Sequence, residues 1–151
     1  MSEYRNEKDI STSDKSEFLA RLEGNRLGRF HKGIVLISAY LNPRQNIEEL
    51  AELLSGKYDI EHILPRNWNN YDGWDEETHL EDVNLLGNTM PLARRQNISA
   101  SNGFFTRKIK EYKKSGVQDA LDLIDNSNWT RDRLLERNNE KIKLIREFFE
   151  V

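Results

Sequence analysis

The sequence predicts an α+β fold in which a short stretch of β structure sits between helical segments. Apolar residues recur at helical spacing in the first and last thirds of the chain, whereas residues 57–64 and 84–91 carry short apolar runs that end at Pro65 and Pro91. A length of 151 residues and a mass of 17.8 kDa fit one domain with one core, read here as 15–151 behind a flexible tail, 1–14.

Each element has a local reason. Asp14 and Glu17 form a capping-box pair ahead of Phe18, Leu19 and Leu22, and the first helix ends near Gly24. Phe30, Ile34, Ile37 and Leu41 lie on one face of a second helix, which Asn42-Pro43 stops. Asn46 and Glu49 repeat the capping pattern before Ile47, Leu50, Leu53 and Leu54, and Ser55-Gly56 ends this third helix, so that 15–56 reads as helical scaffold. Lys57–Leu64 reads as a strand. Residues 66–82, rich in Asn, Asp, Gly and Trp without period, read as one long loop of the kind that carries function. Asn84–Pro91 reads as a second strand and turn. Ser101 or Asn102 caps a helix that turns Phe105, Ile109 and Tyr112 inward and leaves Arg107, Lys108, Lys110, Lys113 and Lys114 toward solvent or a phosphate. A short helix over 117–124 and a terminal helix from about Thr130, with Leu135, Ile142, Ile145 and Phe149 on one face, complete 116–151.

Composition excludes several function classes. The absence of cysteine removes disulfide frameworks, thiol catalysis and structural zinc held through cysteine. The longest aliphatic run, Ile34–Ile37, is far below the roughly 20 residues of a membrane helix, and no secretion signal opens the chain, so the expected partners exclude the membrane and the expected location is the cytoplasm. A net charge of −3 hides a segregation: residues 72–82 hold Asp72, Asp75, Glu76, Glu77, Glu81 and Asp82 without a Lys or Arg, whereas 94–114 hold seven cations against Glu111. A basic segment on an acidic background suits a local anion site, although a charge run alone is more often a solvated face.

The chemistry concentrates in Tyr58-Asp59-Ile60-Glu61-His62-Ile63-Leu64-Pro65. An imidazole can take a proton from water at neutral pH, and a neighbouring carboxylate can hold a hard cation that stabilises charge on a phosphate. Glu-His by itself is common, and a lone histidine is more often structural. Here the segment Asp59-x-Glu61-His62-Ile63-x-Pro65 resembles the first element of the HNH, or ββα-metal, nuclease motif, and Asn88 and Asn97 follow in the order of its later elements. Leu85-Leu86-Gly87-Asn88, Asn97, Ser101-Asn102, Phe104 or Phe105 with its Lys-rich helix, and Trp129 are similar to the C-terminal HNH domain of GmrSD-type modification-dependent restriction enzymes.

The resemblance implies a small ββα-metal core, here 57–115, embedded in flanking helices. It also implies metal-dependent hydrolysis of DNA phosphodiester bonds, to a 3′-hydroxyl and a 5′-phosphate, in defence against foreign or modified DNA. His62 would be the general base, and Asn88 would fix the loop that orients it. Glu61 and Asn97 would hold a divalent metal, Mg2+ or alternatively Mn2+, with Asp59 behind them or as an alternative ligand. Arg94, Arg95, Arg107 and Lys108 would contact DNA. An NTP-dependent N-terminal domain or subunit would be a further partner. Two departures stand beside this: many HNH proteins have Asp where this chain has Glu61, and many carry paired Cys-x-x-Cys motifs. In a regular strand Asp59 and Glu61 share a face and His62 points away, so convergence on one metal needs the strand to end or twist near His62. His31 and His79 lack motif context and are expected to be exposed or incidental. Trp68, Trp74 and Trp129 are expected in packing roles. The competing reading is a catalytically silent HNH-like DNA-binding or protein-interaction module.

Overall fold

Alternation of Tyr58, Ile60 and His62 with Asp59 and Glu61 suits a strand that buries both faces, and such a strand needs helices on each side. The computed structural model describes residues 12–100 and 105–151, with side chains for 14–97 and 105–151. The chain order is α1 (Thr12–Glu23), α2 (His31–Tyr40), α3 (Ile47–Ser55), β1 (Tyr58–His62), α4 (Glu76–Asp82), β2 (Thr89–Ala93), α5 (Arg94–Ala100), α6 (Phe105–Tyr112), α7 (Gln118–Leu121) and α8 (Arg131–Phe149). Short 3₁₀ turns at Gly28–Phe30 and Leu86–Asn88 lead into α2 and β2. The fold is α+β, mostly helical with a small two-stranded antiparallel sheet. The caps expected at Ser101 or Asn102 lie outside the described residues, as does most of the expected tail.

Several local expectations change: the strand expected over 57–64 spans Tyr58–His62, and the second, expected within 84–91, is Thr89–Ala93 and runs through Pro91. α1 begins at Thr12, so Asp14 stands in its first turn rather than at its cap, and residues 12–14 of the expected tail are helical. The expected 66–82 loop contains α4, because Asp75 and Thr78 form a capping box: Thr78 N–H donates to Asp75 Oδ1 at 2.7 Å and Asp75 N–H donates to Thr78 Oγ1 at 3.0 Å. Threonine stands at the position where a capping box usually has glutamate or glutamine, which hides the box in the sequence. In α8 the deepest row is Leu134, Asn138, Lys141 and Ile145, whereas Phe149 is 39% exposed. Lys141 goes inside because its ammonium meets Asp119 at 2.7 Å and Ser38 at 2.9 Å, which satisfies a charge that could not otherwise leave water.

The sheet is the centre of the molecule. Register pairs Asp59 with Leu92, Glu61 with Met90, Ile60 with Pro91 and His62 with Thr89. Met90 and Leu92 join Ile63, Leu50, Phe105, Tyr112, Val117, Trp129 and Leu134 in one core cluster. On the other face Ile60 packs with Leu22, Leu27, Ile34, Val35 and Ile145. α8 contributes to both clusters and presses on the turn before β2. A Cβ on Gly87 would lie 2.4 Å from Leu134 O and 2.5 Å from Asn138 N, so glycine is what lets the two backbones approach. Asn138 Oδ1 accepts from Gly87 N–H at 2.9 Å, and Arg137 donates to Gly87 O at 2.6 Å.

Candidate active site

β1 stays regular through His62, so its alternation sends Glu61 and His62 to opposite faces. Glu61 enters the core beside Met90 and is 2% exposed. Its carboxylate is taken up completely by polar neighbours. Lys108 from α6 places Nζ 2.5 Å from Oε1, Tyr112 OH donates to the same oxygen at 3.0 Å, and Asn97 Nδ2 donates to Oε2 at 2.9 Å. Lys108 also donates to the His62 backbone carbonyl at 2.6 Å. Burial pulls the Lys108 ammonium below its ordinary pKa, against the opposing pull of Glu61, and burial beside the Glu61 carboxylate raises the Tyr112 phenol well above its own.

His62 lies on the other face, half-buried, with Nε2 3.0 Å from Asn84 Oδ1. Since that oxygen accepts, Nε2 carries the proton and Nδ1 keeps its lone pair. Burial lowers the His62 pKa to about 4; the Asn84 bond opposes this, and Arg66, Lys108 and His31 add to it. The ring is therefore neutral at neutral pH, the state a base requires.

The segment that frames His62 is pinned by Asn88, which is fully buried. Asn88 Oδ1 accepts from Leu64 N–H at 2.7 Å and from Trp129 Nε1 at 3.3 Å, and Nδ2 donates to Leu64 O at 3.0 Å and Val83 O at 2.9 Å. One side chain thus joins the end of β1, the end of α4 and the start of α8.

The remaining sequence candidates divide. Arg94 and Arg95 open α5 at the surface and Arg107 is exposed on α6, but Lys108 corrects the expectation of a DNA-facing cation: at 2% exposure its ammonium belongs to Glu61. The signal was present, because Lys108 is spaced three and four residues from Phe105 and Tyr112 on the apolar face. His79 is a second correction. It is buried, with Nε2 2.7 Å from Pro65 O and its ring near Trp68 and Tyr71, so it braces the segment after β1. Asp59 pairs with Arg94 at 3.3 Å on the rim of the sheet. Asn84, which sequence reasoning passed over as a turn residue, is the polar partner of His62.

The geometry also tests a divalent metal. Glu61 is committed to Lys108 and Asp59 to Arg94, His62 faces away, and among the described residues no three His, Cys, Asp or Glu side chains approach a common point. The expected ligand set does not fit a metal in this arrangement.

No curated protein and no solved structure matches the chain in comparisons with known proteins. Residues 10–144 match the family model described as GmrSD restriction endonucleases, C-terminal domain. That match spans α1 to most of α8 and includes β1, β2 and each residue of the two polar clusters. The chain belongs to the family of GmrSD restriction endonuclease C-terminal domains.

Proposed function

We propose that the chain is a DNA endonuclease domain of the HNH kind, hydrolysing phosphodiester bonds in restriction of foreign or modified DNA. Family membership supports a restriction-endonuclease-related role, with DNA as the substrate class and a divalent cation as the family's cofactor type. The observation that carries the finer reading is the neutral His62 imidazole held by Asn84 at the end of β1. His62 Nδ1 takes a proton from water, the hydroxide attacks phosphorus, and O3′ leaves with a proton from solvent. Asn84 and Asn88 act as positioning residues, one on the ring and one on the loop that frames it. Arg94, Arg95 and Arg107 are the cations assigned to the DNA backbone. Plasmid cleavage by the purified chain, with magnesium, manganese or a chelator, tests this; His62→Ala should lower cleavage by about a hundredfold or more, and wild-type protein inert with every metal would overturn it.

One observation favours the silent-module reading: Glu61 is saturated by Lys108, Tyr112 and Asn97. That reading expects DNA binding without cleavage in the same assay. Among the described residues no helix is long and apolar enough to cross a membrane.

A further inference from the structure

Asp59 and His62 leave β1 on opposite faces, so Arg94, which pairs with Asp59, lies on the side away from the imidazole. A base that activates water sits beside the phosphate it attacks, and the cations that neutralise that phosphate belong on its own side of the sheet. That side is built by α2. Ile60, which shares the His62 face, packs with Ile34 and Val35, and Lys32 holds Nζ 4.8 Å from the centre of the Tyr58 ring on the same face. Just before α2, Arg29 Cζ stands 5.0 Å from the centre of the Phe30 ring, and Phe30 is 55% exposed, an apolar face beside these charges.

Arg66 approaches from the other end of β1. Asn88 holds both backbone groups of Leu64 and His79 holds Pro65 O, so Arg66 leaves a fixed backbone. Burial first, and then the charge of Arg66 among others, lowers the His62 pKa, so that charge acts at the imidazole. Arg29, Lys32 and Arg66 are exposed, and none of them forms an ion pair with a described residue. Neither 24–47 nor 62–71 contains an Asp or a Glu. Unpaired cations on a carboxylate-free surface around one imidazole, in a chain of net charge −3, are complementary to a polyanion's backbone.

We propose that Arg29, Lys32 and Arg66 form the DNA track at His62: the phosphate backbone crosses the end of β1 between the start of α2 and Arg66, and Arg66 takes the phosphate that His62 serves. Arg94, Arg95 and Arg107 then meet phosphates further along the duplex. The proposal rests on the reading of His62 as a nuclease base, and salt-dependent binding is read apart from cleavage, so the two can fail separately.

The test titrates the full chain against a labelled DNA duplex at a series of salt concentrations, beside plasmid cleavage. Arg29→Gln combined with Lys32→Gln should reduce the slope of log affinity against log salt by about two units, and Arg66→Gln by about one. Arg133→Gln combined with Lys143→Gln, exposed on α8, should change it little. Arg66→Gln should also lower kcat by about a hundredfold, because it removes the cation at the attacked phosphate. The replaced side chains are exposed, so helical circular dichroism should be retained. Wild-type slopes in the Arg29/Lys32 and Arg66 variants, or an equal loss in the α8 pair, overturn the track, and Arg66→Gln with full kcat overturns the role of Arg66. Reduced slopes without cleavage by wild type remove the nuclease reading and leave the track standing; cleavage with unchanged slopes does the reverse.

Discussion

At the scale of single residues, His62 and Glu61 show how one step along a strand gives two neighbouring side chains different surroundings. The pH behaviour of His62 follows from its surroundings. Its folded pKa, about 4, lies below the ordinary 6.5, so between those values the unfolded chain binds more protons. The His62 contribution to stability is complete above pH 6.5 and is lost as pH falls toward 4. Denaturant unfolding at a series of pH values should show this decline in wild type and a flatter profile in His62→Gln; identical profiles would show that His62 is not held neutral. The acid limb of cleavage by free protein should fall near pH 4 for the same reason, and an Asn84→Leu variant, without its oxygen acceptor, should lose kcat more than KM while retaining its helical circular dichroism.

At the scale of elements, α8 holds the turn that precedes β2. Gly87→Ala places a methyl group against the α8 backbone, 2.4 Å from Leu134 O, and neither backbone can give without moving the other. Urea unfolding should register a loss of about 1–3 kcal/mol or more, with unchanged stability refuting the close contact. The polar row of α8 gives a second test. Lys141→Met leaves the buried Asp119 carboxylate with Asn42 and a distant Arg137, 3.8 Å away, as its remaining partners. Such a break costs about 3–5 kcal/mol, and Asp119→Asn combined with Lys141→Met should recover part of it because neither charge is then left alone.

At the scale of the whole molecule, the question is how a chain of net charge −3 approaches a polyanion. Part of the acidic segment is consumed internally: Asp82 accepts from Trp74 at 2.9 Å and from Arg131 at 2.7 Å, and Asp75 caps α4. This draws Arg131 toward α4, while Arg94, Arg95 and Arg107 are exposed, Arg94 in an exposed pair with Asp59. Reversing Arg94 and Arg95 to Glu should weaken DNA binding and reduce the slope of log affinity against log salt by about two units. Reversing Arg133 and Lys143, exposed on α8, should change it little. Equal losses in the two double variants would place the DNA path elsewhere.

The sequence by itself determined the helix-strand-helix order, the cap at Asn46 and the α+β class, because capping and periodicity act within a few residues; it placed the first strand at 57–64, where β1 is the shorter Tyr58–His62. It also determined which short segments hold the polar side chains, and the alternation that sets Glu61 apart from His62. Tertiary structure decided the rest. Lys108 looks like one of several helix cations until α6 packs on the sheet and turns it toward Glu61; His79 looks incidental until Pro65 O faces it; Lys141 and Asn138 look like solvent positions until Asp119 and Gly87 meet them. A charged side chain can be buried only when a distant partner meets it, and that partner is not encoded in the local periodicity around it.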